Sequence, residues 1–151
     1  MAWPILSVLV FQPLIGALFV CLVRGETTLV ATNARAVGLW STGISLAISC
    51  FLWVQFDRTV GDFQFLEQKD WIPSLGISYS MGIDGISIIF IILTSFLTLI
   101  CILASWESIA DRVREYMVAF LIMESMMLGS FCALDTVLFY IFFEGLLVPM
   151  F

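Results

Sequence analysis

No charged side chain occurs between Met1 and Val23, and three further runs, about 36–56, 86–106 and 116–134, carry a single one between them, Glu124. A helix needs roughly 20 mostly apolar residues to cross the hydrocarbon core of a bilayer, because each residue advances it by only ~1.5 Å. Each run has about that length. In lipid the backbone must satisfy its own hydrogen bonds, so runs of this kind fold as helices packed side by side. A fifth run, 136–151, is about sixteen residues long and is expected to form an incomplete span. The fold class is therefore an all-α polytopic membrane protein with about five transmembrane helices.

Composition narrows the function. Of 151 residues, 62% are hydrophobic and 12% charged, against about a quarter charged in a soluble domain. Six Lys and Arg residues, unclustered in a chain of net charge −6, give no footprint for nucleic acid. The absence of histidine removes imidazole acid–base chemistry, His-ligated haem and the usual zinc triads. Cys21, Cys50, Cys101 and Cys132 are widely spaced in apolar runs and read as small buried hydrophobes rather than a cluster or disulfide framework. The first run is longer than a signal-peptide core and no basic residue precedes it, so it reads as a span.

The connections are short except for Asp57 to about Ile83, which holds Asp62, Glu67, Lys69, Asp70, Trp71 and Tyr79 and is expected to be an ordered loop with short extended pieces. Asp84, just before the third span, is placed to cap it, and Asp135 to make the turn into the fifth. Arg24 and Arg35 flank the first connection, and Arg112 and Arg114 lie in the third. The Arg58 and Lys69 of the second lie among four acids. By the positive-inside rule the first and third connections face the cytoplasm or matrix.

The acids inside the runs are the functional candidates. Glu144 lies in LFYIFFEGLLVPMF, with no other charge between Asp135 and Phe151. A carboxylate at mid-membrane costs roughly 2.5–3.5 kcal/mol on insertion scales, and such residues mark proton or ion paths. Counted from Asp135, Glu144 and Glu124 lie at similar depths, roughly 13 and 16 Å. Gly145 follows Glu144, and Pro149 withholds the amide that would bond the Gly145 carbonyl, so a helix break beside the acid is expected. Glu124 is the weaker candidate, and a hydrogen-bonded acid in a helix contact is an equal reading for it. Phe139, Tyr140, Phe142 and Phe143 read as lipid-facing or packing aromatics. A proton carrier also needs a cation that alters its proton affinity. No Lys or Arg follows Arg114, so that partner is expected from outside residues 1–151.

The runs MGIDGISIIFIILTSFL and REYMVAFLIMESMMLGSFCALDTVLFYIFFEGLLVPMF resemble the antiporter-like membrane subunits of respiratory complex I. Two pieces carry the resemblance together: GIDGIS ahead of the third span and D-x-x-L-F-Y-x-F-F-E-x-x-L-x-P-M-F at the fifth. It implies a bundle of about fourteen helices, of which this chain is the N-terminal part, with the remainder of the subunit or a companion chain completing it. It also implies that Glu144 is the family's channel glutamate and that its lysine partner is on a seventh, broken helix. Glu124 is outside the motif. The chain itself would hold no cofactor; flavin, iron–sulfur clusters and quinone belong to partner subunits, and the other membrane-arm subunits and the lipid bilayer are its surroundings. The expected place is an energy-coupling membrane, mitochondrial inner or bacterial. The alternatives are a subunit of a multisubunit cation/proton antiporter and a non-transporting scaffold.

Overall fold

The computed structural model describes residues 4–24 and 27–151, with the backbone alone for Thr27 and Thr28. Five helices follow in order: α1 (Ile5–Leu22), α2 (Thr27–Gln55), α3 (Ser87–Ser108), α4 (Val113–Cys132) and α5 (Thr136–Met150). The first four are long and apolar enough to cross a membrane, and α5 is a shorter apolar helix. Between α2 and α3 lies an antiparallel hairpin, β1 (Gln64–Ile72) and β2 (Ile77–Ile83).

Two segments differ from the sequence expectation. The second helix begins at Thr27, not near Ala36, because Asn33 and Arg35 end the apolar run without ending the helix. Arg35 is accommodated there. Its guanidinium donates to the Ile109 carbonyl at 2.7 Å and lies 5.9 Å from the Trp106 ring centre. The loop after α2 is a regular hairpin rather than scattered extended pieces. Glu67 pairs with Met81 and Asp70 with Ser78, and a tight turn at Pro73–Leu75 closes on Gly76 with φ 66°, a left-handed conformation that glycine adopts without strain.

The hairpin fastens one end of the bundle. Pro4 precedes α1 and has no side-chain acceptor to cap it, so the cap comes from β1: Glu67 accepts the Leu6 amide at 2.7 Å and the Ser7 amide at 3.1 Å. The Ser7 hydroxyl also bonds Glu67, and it lies 2.7 Å from the Tyr79 hydroxyl. On the other side of the hairpin, the Leu134 amide donates to the Ser80 carbonyl at 2.9 Å. Asp135 accepts from the amides of Val137 at 2.8 Å and Leu138 at 3.3 Å, capping α5, and from the Ser78 amide at 3.2 Å. Asp84 accepts the Ser87 amide at 2.7 Å at the start of α3. Both aspartates expected at helix starts are therefore caps.

Helix α4 lies at the centre, packed on α1, α2, α3 and α5. Small residues set the closest approaches. A Cβ on Gly16 of α1 would lie 2.7 Å from the Ser41 Cβ of α2, and one on Gly129 of α4 would lie 2.5 Å from the Phe142 ring of α5. The cysteines depart from expectation, since only Cys132 is buried. The others lie on outward faces, where an apolar thiol suits lipid.

Candidate functional site

The interior of the bundle is two apolar clusters with a polar layer between them. One cluster, toward the hairpin, includes Leu9, Val10, Leu52, Ile91 and Leu128. The other, toward the α3–α4 connection, includes Ala17, Ala34, Ile102 and Leu121. Each of the first four helices changes character between them. Helix α4 places Glu124 and Ser125 between Leu121 and Leu128, α2 places Ser41, Ser45 and Ser49 between Ala34 and Leu52, and α3 places Ser95 and Thr98 between Ile91 and Ile102. Helix α1 contributes Gln12.

Most of this layer is bonded. Gln12 Nε2 donates to Ser41 Oγ at 3.1 Å, while Ser45 Oγ donates to Gln12 Oε1 at 2.8 Å. Ser49 Oγ bonds the Ser45 carbonyl at 2.8 Å and lies 2.9 Å from Ser95 Oγ. Ser125 Oγ donates to the Val10 carbonyl at 2.5 Å, tying α4 to α1. The exception is Glu124. Its side chain is 0% exposed, yet neither carboxyl oxygen has a hydrogen-bond partner among the described residues. The Ser45 hydroxyl lies beside it, short of hydrogen-bonding geometry.

Glu144 is placed differently. Nine residues past the Asp135 cap, it is on an exposed face of α5, and no described residue pairs with it. The two acids that axial counting puts at similar depth are therefore not brought together: Glu124 faces the bundle interior and Glu144 faces out of it. The expected helix break beside Glu144 is absent, since α5 is continuous from Thr136 to Met150 with Pro149 inside it. Pro149 falls in the last turn, where losing one amide donor removes a single bond without ending the helix. Gly145 serves as a contact point, since a Cβ there would come within 2.9 Å of the Met126 sulfur. Of the four aromatics ahead of Glu144, Phe142 is buried against α4 and the other three are exposed.

Sequence reasoning passed over Gln12. The available signal was that it is the one amide side chain in the uncharged run 1–23. No group of three or more potential metal-ligating side chains occurs among the described residues.

The pattern of the NADH-ubiquinone oxidoreductase chain 4 amino terminus matches residues 27–134. The chain belongs to that family. It is 41% identical over 146 residues to the NADH-ubiquinone oxidoreductase chain 4 of Marchantia polymorpha, a match covering 97% of this chain and 29% of that protein. It is 43% identical over 148 residues to the NADH-quinone oxidoreductase subunit M of Rhodobacter capsulatus, covering 97% of this chain and 28% of the relative. The fold matches a chain in respiratory complex I from Thermus thermophilus with bound NADH, at a TM-score of 0.76 and 25% identity, over 95% of this chain and 27% of that one. The chain thus spans less than a third of the length of these relatives, and the five helices correspond to part of a larger membrane subunit.

Proposed function

We propose that these residues form the N-terminal transmembrane region of a proton-translocating membrane-arm subunit of an NADH:quinone oxidoreductase, with Glu144 as a proton-carrying carboxylate. The observation that carries this reading is the placement of Glu144: an acid roughly 13 Å along a capped apolar helix, on a face that no described residue covers. An acid at that depth is costly unless it faces a polar interior, so the face of α5 that bears it is an internal surface of a larger bundle rather than one left to lipid.

The chemistry follows from what changes the acid's proton affinity. A cation within a few ångströms favours the carboxylate, and its withdrawal favours the protonated acid. No Lys or Arg follows Arg114, so the cation comes from another segment of the subunit or a neighbouring chain. Electron transfer through flavin, iron–sulfur clusters and quinone takes place in partner subunits. This chain holds and passes protons across an energy-coupling membrane, the mitochondrial inner membrane or the bacterial plasma membrane.

The test is NADH oxidation and proton pumping by the assembled complex in vesicles, at matched subunit content. Glu144→Gln keeps the shape and removes the titratable proton, so pumping falls, and oxidation falls with it where the two are coupled. Glu144→Asp is milder, since it keeps the acid and shortens it by a methylene. Normal pumping in Glu144→Gln would leave a scaffold. Purification with no NADH-oxidising arm would leave a cation/proton antiporter subunit.

A further inference from the structure

We infer that Glu124, Ser45 and Gln12 form a second proton-binding site, in which Glu124 holds its proton at rest and exchanges it through the α1–α2 contact. The relay role rests on the proton-translocating reading above; the protonated resting state does not.

Hydrogen-bond inventory decides the resting state. Gln12 is oriented by two bonds, its Nε2 donating to Ser41 and its Oε1 accepting from Ser45. The one hydroxyl proton of Ser45 is therefore taken up by Gln12, with the Ser41 carbonyl at 3.3 Å as its second acceptor. What Ser45 has left for Glu124 is a lone pair, which suits the O–H of a neutral acid and not a carboxylate, an acceptor only. No other described residue supplies a donor, since Ser125 is spent on the Val10 carbonyl and both Glu124 oxygens are without partners among the described residues.

No charge among the described residues stabilises the ionised form either. Of the elements packed on α4, the described part of α1 has no charged residue within the helix, β2 offers only the Tyr79 phenol, and α3 has Glu107 at its far end. The acid of α5, Glu144, faces outward. The cation of α2, Arg35, is ten residues from Ser45, roughly 15 Å along the helix, and is engaged with Ile109 and Trp106. Arg114 of α4 is equally far from Glu124. An unpaired buried carboxylate is costly enough that such a group takes up a proton instead.

The same arrangement reaches toward the outer face of the α1–α2 pair. Gln12 and Ser41 are the polar side chains of an otherwise largely apolar groove of about 590 Å³ between α1 and α2. When Glu124 gives its proton to a water molecule arriving by that route, the Ser45 hydroxyl rotates from Gln12 Oε1 to the new carboxylate. Reprotonation from water returns Ser45 to Gln12. No bond other than O–H changes, and one proton leaves for each one taken up. This path crosses α1 and α2, away from the α5 face that bears Glu144.

Infrared difference spectra of the assembled complex in proteoliposomes, resting against turning over, read the C=O stretch of a protonated carboxyl. The band is expected to be lost in Glu124→Gln, shifted in Ser45→Ala, moved by D2O and retained in Glu144→Gln, with pumping lowered in Glu124→Gln by less than in Glu144→Gln. A spectrum unchanged by Glu124→Gln overturns the site. So does a band indifferent to both D2O and Ser45→Ala, which marks a sealed structural acid, or one abolished by sodium ions, which marks a cation site. Normal pumping in Glu124→Gln overturns the relay. Should Glu124→Gln fail to assemble, Ser45→Ala decides alone, and an unmoved band refutes the proposal. Normal pumping in Glu144→Gln with the Glu124 band intact would fail the earlier reading and leave this site standing.

Discussion

Glu67 accepts the Leu6 amide at 2.7 Å across a sequence separation of 61 residues, so the first helix is capped from the hairpin rather than by a residue next to it in sequence. Removing a helix cap typically costs about 0.5–2 kcal/mol. Glu67→Ala should destabilise the protein by that order and speed hydrogen exchange at Leu6 and Ser7. Glu67→Gln should cost less, because an amide oxygen still accepts. Unchanged protection at both amides in Glu67→Ala would show that the cap is not used.

A second prediction concerns the α4–α5 contact. A methyl group on Gly129 has no space against the Phe142 ring, and overpacking of this kind costs about 1–3 kcal/mol. Gly129→Ala should lower the thermal stability of the assembled subunit, and Phe142→Leu in the same chain should recover part of the loss. Additive losses in the double variant would mean that the two residues are not in contact.

Asp135 gives a pH dependence. The Ser78 amide, followed by those of Val137 and Leu138, holds its carboxyl below the ordinary value of 3.8. Because the folded value is depressed, the stabilisation is complete above pH ~4 and is lost as pH falls through the folded value. Protection of the Val137 and Leu138 amides, taken against the intrinsic exchange rate at each pH, should therefore be flat from neutral pH down to about 4 and fall below it. Asp135→Asn, which still accepts but does not titrate, should remove the acid step. A step centred near neutral pH would contradict this assignment.

Orientation is open to direct measurement. Single cysteines replacing Asp62 in the segment before β1 and Asp111 in the α3–α4 connection, with Cys21, Cys50 and Cys101 changed to Ala, should react with an impermeant reagent from opposite sides of sealed vesicles. From the arginine distribution, the Asp111 position faces the matrix or cytoplasm. Labelling of both from one side would refute α3 as a span.

Much of this architecture was legible because lipid makes the sequence rule simple. Long apolar runs marked α1, α3 and α4, and an aspartate ahead of an apolar run marked the starts of α3 and α5. The start of α2 was missed because hydropathy registers Asn33 and Arg35 as an end, whereas a helix only needs somewhere to put them. The hairpin was blurred because β1 is exposed along most of its length and has no alternation of apolar and polar faces to read. The Glu67 cap was invisible, being a contact between segments 61 residues apart. For the acids, counting along the axis gave depth but not direction around it. The opposite facing of Glu124 and Glu144 depends on how α4 and α5 pack, which is a tertiary property.

The bonds joining Ser78 and Ser80 to Asp135 and Leu134 make the start of α5 a pivot. With that end anchored, a tilt of the helix acts as a lever on everything farther along. Glu144 lies roughly 13 Å out, so a tilt of about 10° carries its carboxyl roughly 2 Å sideways at nearly constant depth. The distance from its carboxyl to a group facing that side of α5 can thus be altered by leaning the helix, with no movement of the acid toward either surface of the membrane.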